Sequence, residues 1–290
     1  MGSVTTEGAK ERAALAAVAL VEEGSTIAVG SGSTVDKAIR ALGRRFEGSL
    51  RKPAVVAASR RSEMLVTEAG LPLLMLDKVT SFPLMLDGAD EVAPDLTLIK
   101  GGGGALTREK LLATLSQSVV IMVDYTKLVQ RIGEHALLPV EVVPFAAPYV
   151  GRKLRELNLE PTVRISPGAA IVPYLTDNHC EILDCRLPSG VFDPEELEAN
   201  ILKIRGVLDC GLFVRMANRV FVGTRDGRVE EMHPPTSPPR LHLPEELREA
   251  LLRRMARGPV TPPVPVRRPP KARKATRPSP HRRPKGKRSR

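Results

Sequence analysis

The sequence predicts an α/β protein built on an open, mostly parallel sheet, and three observations carry that expectation. Helical segments alternate with short apolar runs through the first half of the chain. Those runs are continuous, as in strands buried on both faces, and glycine-rich turns stand at their ends. A chain of 290 residues with 42% hydrophobic residues can bury a substantial core in one or two domains.

Residues 8–23 carry Ala, Glu and Val at helical spacing and stop at Gly24, after which "STIAVG" is a buried strand. The turn "GSGST" leads into the helix "VDKAIRALGRRF". "PAVVAAS", "LPLLML" and "FPLMLD" are three further strands, with "RRSEMLVTEAG" crossing over as a helix between the first two. "LTLIK" ends another strand before four consecutive glycines, then come the helix "ALTREKLLATLSQ" and the strand "SVVIMVD". This is a Rossmann-like arrangement over 1–133.

The pattern changes near residue 134. Strand "LLPVEVVPF", helix "APYVGRKLREL", strands "PTVRIS", "AAIVPYLTD" and "EILDCRL", and helix "DPEELEANILKI" make a smaller α+β unit of β-α-β-β-α-β, ferredoxin-like type, inserted over 134–206. The hairpin "GLFVRMANRVFVGTRDGRVEEM" then returns within 207–232 to complete the first domain. Over 233–258 the stretch "LPEELREALLRRMARG" reads as an extra amphipathic helix, with Pro244 in its first turn. Residues 259–290 hold nine prolines and twelve Lys/Arg with no acid, a composition expected to stay disordered.

Charge is unevenly placed. The net charge is +11, yet residues 234–290 carry seventeen Lys/Arg against three Glu, so the body is slightly acidic, at 27 basic and 30 acidic residues. Basicity therefore belongs to the tail. Aromatics are 3% and Trp is absent, which removes the stacking platforms of single-strand binders. Three cysteines fit a reducing compartment, and no apolar run reaches the roughly 20 residues that span a bilayer, so a cytoplasmic protein with no membrane partner is expected.

Chemistry concentrates in two places. A strand, a Gly-Ser turn and a helix form a phosphate-binding geometry at Ser31, Gly32, Ser33 and Thr34, without the third glycine of the dinucleotide fingerprint; Lys10 and Lys127 can reach the same anion from other elements. In "DGADEVAPDLTLIKGGGGAL", Asp87 closes a buried strand, Asp90 and Glu91 follow, Lys100 closes the next strand and Gly101–Gly104 lead to the helix bearing Glu109. Four glycines cost backbone entropy, which is hard to account for unless something approaches the main chain closely. Asp87, Asp90 and Glu91 are an alternative Mg²⁺ set, against which Lys100 competes.

"GSGST", "DGADEV", "LIKGGGGALTREK", "LLPVEVVPF", "LTDNHCEILD", "GVLDCGLF" and "VGTRDG" stand in the order and near the spacing of type A ribose-5-phosphate isomerases, which the chain resembles over residues 7–232. The resemblance implies interconversion of D-ribose 5-phosphate and D-ribulose 5-phosphate in the pentose phosphate pathway through an enediolate, with no metal or organic cofactor, in a homodimer or homotetramer. It implies that Glu109 is the base, that Asp87 assists ring opening and handles the hydroxyl proton with Asp90 nearby, and that Lys100 and the glycine amides stabilise the oxyanion. Ser31, Gly32, Ser33, Thr34, Lys10 and Lys127 would hold the phosphate, and Gly88, Ala89, Gly101, Gly102 and Gly103 would line the sugar. Ala58 departs from the Ser or Thr of many members, and residues 234–290 have no counterpart. A sugar-phosphate-sensing regulator of DeoR-effector-like fold is the alternative, but such proteins carry an N-terminal helix-turn-helix and only about 24 residues precede the first strand.

The twelve cations of 259–290 allow a non-specific polyanion or nucleic-acid contact by counterion release. Nucleic-acid retention is expected to weaken steeply with salt and to vanish on deletion of 259–290 while activity survives; equal retention by both forms across a salt series would refute it.

Overall fold

The computed structural model describes residues 4–188 and 192–235. The chain runs α1 (Thr6–Val18), β1 (Thr26–Val29), α2 (Ser33–Arg45), β2 (Ala54–Ala57), α3 (Arg60–Glu68), β3 (Met85–Asp87), β4 (Glu91–Val92), β5 (Leu98–Ile99), α4 (Leu106–Thr114) and β6 (Val119–Asp124). It continues through β7 (Leu138–Val142), α5 (Ala147–Glu156), β8 (Glu160–Val163), β9 (Glu181–Arg186), α6 (Pro194–Leu202), β10 (Val207–Cys210), β11 (Leu212–Phe213), β12 (Arg219–Gly223) and β13 (Val229–Met232).

Six strands form a sheet in the order β13-β12-β6-β3-β1-β2, parallel except for β13. All six residues of β6 are buried, and the first five, Val119 to Val123, are a continuous apolar run as a strand covered on both faces requires. One face packs under α1, α2 and α3, through Ala13, Ile39, Leu42 and Val66. The other is covered by α4 and by a three-stranded sheet, β11-β5-β4, through Phe82, Leu98, Leu112 and Phe213. From β1 the chain moves to β2 on one side and to β3 on the other. The carboxyl ends of β1 and β3 therefore flank a switch point, the place where open α/β sheets bind ligands.

A second, antiparallel sheet has the order β10-β7-β9-β8, with α5 and α6 supplying Val150, Leu154 and Ile201 to its core. Taken in chain order its strands lie 4-1-3-2, as a β-α-β-β-α-β sequence requires. β10 pairs with β7 here, so the small sheet ends at Cys210 and not at residue 206. Leu212 and Phe213 pair with β5, leaving only β12 and β13 as the hairpin that joins the main sheet.

Two expected strands are absent as such. "LPLLML" makes a single bridge, Val55 with Leu73, and then a 3-10 turn over Leu76–Lys78, because Pro72 offers no N–H and the segment lies outside the edge strand β2 with Met75 exposed. "AAIVPYLTD" makes only the isolated bridges Ile165–Pro173 and Leu175–Glu181 and forms no continuous strand. The extra helix expected within 233–258 and the tail 259–290 lie outside the described residues, apart from the coil at 233–235.

Helix α1 closes against β12 at Gly223, where a Cβ would overlap the Ala9 carbonyl. Gly223→Ala is expected to destabilise the fold by about 1–3 kcal/mol through overpacking, read as a lower urea midpoint at unchanged m-value.

Candidate active site

Three elements deliver three charges to one buried point. Asp87 ends β3, Lys100 follows β5, and Glu109 lies in the first turn of α4. Their exposures are 0%, 3% and 3%. Lys100 Nζ stands 2.9 Å from Asp87 Oδ2 and 2.9 Å from Glu109 Oε2, and donates to the Gly88 carbonyl at 2.7 Å. The two carboxylate oxygens are held by ion pairing alone, without an aligned hydrogen bond. Asp87 Oδ1 is better supplied: it accepts the N–H of Gly88 at 2.7 Å and that of Ser31 at 3.3 Å.

One ammonium cannot neutralise two buried carboxylates. Burial, then the charge of Asp87, pushes the Glu109 pKa up to about 8 against the pull of Lys100. Burial also raises Asp87, opposed by Lys100 and by its amide donors. For Lys100 burial acts downward, but the two carboxylates outweigh it and raise the pKa. The pair of carboxyls thus shares one extra proton near neutrality, and Glu109, which accepts no backbone N–H, is the better holder of it. The dipole of α4 favours an ionised Glu109; burial wins.

Around the charges the wall is largely backbone. Ser31, Gly32, Ser33, Thr34, Gly88, Ala89, Asp90, Gly101, Gly102, Gly103, Lys10 and Lys127 line the same cavity as Lys100 and Glu109, of about 140 Å³. Asp87 sits behind it. Gly32, at φ +108°, caps α2 without a side-chain hydrogen bond, and Gly32, Ser33 and Thr34 line the cavity at the start of that helix, an arrangement that can seat an anion. Lys10 is tied to Glu7 at 2.8 Å. Ser59 and Ser62 do not line the cavity: they are buried behind it, where Ser59 Oγ contacts Ser31 Oγ at 3.1 Å and Ser62 Oγ donates to the Gly30 carbonyl at 2.8 Å.

Glu91 leaves the acidic group altogether. Its buried carboxylate accepts the N–H groups of Gly133, His135 and Ala136, each at 2.5–2.6 Å, and Asp90 Oδ2 accepts Gly102 N–H at 2.7 Å. Asp87, Asp90 and Glu91 therefore do not converge as a cation set. Elsewhere the ligand atoms of Glu198, Asp209 and Cys210 cluster, and Lys110 Nζ occupies that point, 2.5 Å from Glu198 and 2.8 Å from Asp209. A larger cavity of about 610 Å³ lies beside Ile132, Leu187 and Phe192, but its charged residues are all exposed.

Several supporting residues escaped the sequence reading. Glu141, fully buried in β7, accepts from Thr107, Thr176 and Asn178 and so ties α4 to the 176–178 turn. Arg108 reaches Asn178 Oδ1 at 2.8 Å and the Asp177 carbonyl at 3.0 Å. Only Glu141 carried a signal, a carboxylate inside an apolar strand.

The sequence model of the family described as ribose 5-phosphate isomerase A (phosphoriboisomerase A) matches residues 54–227. The ribose-5-phosphate isomerase A of Deinococcus radiodurans is 45% identical over 227 residues, 78% of this chain and 98% of that protein. That of Thermomicrobium roseum is 44% identical over 223 residues, 77% and 92% of the two chains. Among solved structures, ribose 5-phosphate isomerase A of Methanocaldococcus jannaschii superposes with a TM-score of 0.74 at 36% identity, covering 79% of this chain and 100% of that one. A D-ribose-5-phosphate isomerase in complex with phospho-erythronic acid gives a TM-score of 0.76 at 33% identity, with 79% and 100% covered.

The raised Glu109 and Asp87 pKa values set a sign for stability. A folded-state pKa above the unfolded value means the native protein binds more protons between the two, so stability falls as pH rises from about 4.5 to about 8. The expected slope approaches about 1.4 kcal/mol per pH unit for one proton, measured by urea unfolding across that range, and Glu109→Gln should flatten it.

Proposed function

The chain belongs to the ribose 5-phosphate isomerase A family and interconverts D-ribose 5-phosphate and D-ribulose 5-phosphate, and we propose that the Asp87–Lys100–Glu109 cluster carries the reaction. The observation that supports this reading most directly is a buried carboxyl, Glu109, whose pKa lies near neutrality beside a buried cation. A base with a pKa near the working pH combines a useful ionised fraction with proton affinity.

In this reading the phosphate sits at the N-terminus of α2 on the amides of Gly32–Thr34, with Lys10 and Lys127 adding positive charge. Asp87 assists opening of the furanose ring. Glu109, ionised, then removes the proton from C2 of the open-chain aldose, and the electron pair moves into a C1–C2 double bond as the carbonyl oxygen O1 becomes negative. Lys100 and the glycine amides face that oxygen, and fixed donors in a water-poor site are worth more than in solution. The O2 hydroxyl proton passes to O1, with Asp87 as the relay, and Glu109 returns its proton to C1 to give the ketose. No atom or electron leaves the substrate, so the chemistry asks for no redox partner.

The regulator alternative is not favoured, since the relatives matched over nearly their whole length are named as isomerases. We further propose a homodimer or homotetramer working in the cytoplasm; no helix of the described residues is long and apolar enough to cross a membrane.

Conversion of ribose 5-phosphate by purified protein in EDTA, beside Glu109→Gln, tests the assignment. The wild type should be active and its kcat/KM should rise with pH toward a plateau above about 8, while the variant should lose about 100-fold or more in kcat. A folded Glu109→Gln protein with near-normal kcat would refute the role of Glu109, and activity abolished by chelation would point to a cation.

A further inference from the structure

The glycine loop does not hold its own shape. Three consecutive carbonyls, those of Gly101, Gly102 and Gly103, are gripped from outside by residues beyond β8. Arg164 Nη1 donates to the Gly101 carbonyl at 3.0 Å and to the Gly102 carbonyl at 3.1 Å, and Tyr174 Oη donates to the Gly103 carbonyl at 3.2 Å. The guanidinium is itself fixed, since Nε and Nη2 form a bidentate pair with Asp184 at 2.8 and 2.5 Å, and it lies 5.9 Å from the centroid of the Tyr174 ring. Both groups of the pair are mostly buried, at 15% and 18% exposure.

In a trans peptide the C=O and the N–H point in opposite directions. Among the amides of 102–104, that of Gly103 is the one sent toward the cavity, because Arg164, which does not line the cavity, holds the Gly102 carbonyl of the same peptide plane. Two of these have partners: Gly102 N–H donates to Asp90 at 2.7 Å and Gly104 N–H to the Gly101 carbonyl at 3.0 Å. Gly103 N–H has no hydrogen-bond partner among the described residues, and Gly103 lines the cavity with open space where a side chain would stand. Glycine is the residue freest to flip a peptide plane, so nothing intrinsic to "GGGG" selects this orientation.

We propose that Arg164, backed by Asp184 and Tyr174, is a positioning residue that locks the Gly102–Gly103 peptide plane so that the Gly103 amide points at the oxyanion of the reacting sugar. Arg164 does not line the cavity and bonds to none of Asp87, Lys100 and Glu109. It acts through the backbone, and it couples the smaller sheet to the chemistry of the larger one. The inference rests on the isomerase reading of this cavity, so wild-type activity is the first arm of its test.

Arg164→Met and Tyr174→Phe are compared with wild type in ribose 5-phosphate turnover, in binding of phospho-erythronic acid and of inorganic phosphate, and in the ¹H–¹⁵N shift of the Gly103 amide. Arg164→Met should lower kcat by up to about 100-fold, the scale of a misplaced catalytic group, with KM changed less than about threefold. Affinity for phospho-erythronic acid should fall with kcat/KM while phosphate binding stays constant, and the Gly103 shift induced by that acid should shrink. Methylguanidinium should restore part of the activity. Tyr174→Phe, which leaves the guanidinium in place, should give the same pattern at smaller size and serves alone if Arg164→Met does not fold. Unchanged kcat with an unchanged Gly103 response would overturn the positioning role, as would parallel loss of kcat, KM and phosphate binding. A folded wild type without activity would instead overturn the isomerase reading.

Discussion

Everything at the centre of this molecule depends on one ammonium group, Lys100 Nζ, held between two carboxylates where water is excluded. Isolated charges at that depth are costly, and Lys100 stays protonated there only because Asp87 and Glu109 lie within 2.9 Å. The debt runs both ways: without Lys100 the two carboxyls would face each other in a low dielectric. Balance at the triad is met by one proton shared between the acids, which is the property a reversible proton shuttle requires.

That balance explains the architecture around it. No single segment can place three such groups, because neighbouring residues on one helix or strand diverge. Here the end of a parallel strand, the end of a strand of the three-stranded sheet and the start of a helix meet at one point, and a shared apolar core holding Met85, Leu98 and Leu112 anchors all three. Glu91, three residues from Gly88, shows the selectivity of the arrangement. Its charge is taken up by three amides of the 133–136 loop, so the acidic run divides within five positions into a part at the Lys100 cavity and a part that braces a loop.

Backbone supplies most of the remaining polarity. The start of α2 and the glycine loop present amides where other enzymes place side chains, and amides on a fixed frame need no rearrangement as charge develops. A glycine frame is floppy unless held, and the holding groups come from the smaller sheet: Arg164 and Tyr174 on the loop carbonyls, Glu141 and Arg108 on the end of α4 and the 176–178 turn. The antiparallel sheet is therefore part of the site's rigidity and not only an appendage to it.

The parallel sheet, the Gly-Ser turn at the start of α2 and the acidic, lysine and glycine segments were legible in the sequence because each is local: a continuous apolar run, a Gly-Ser turn before a helix, a carboxylate at a strand end. "LPLLML" and "AAIVPYLTD" misled for the same reason, since apolar content is visible along the chain while the extent of pairing with a neighbouring strand is not. The sequence by itself determined which chemical groups are available and the family they resemble. Only the tertiary structure decided that burial outweighs the helix dipole at Glu109, that Glu91 turns away, and that Arg164 reaches a loop more than sixty residues earlier. Those outcomes are set by desolvation and by long-range hydrogen bonds, which have no signature in any one window of sequence.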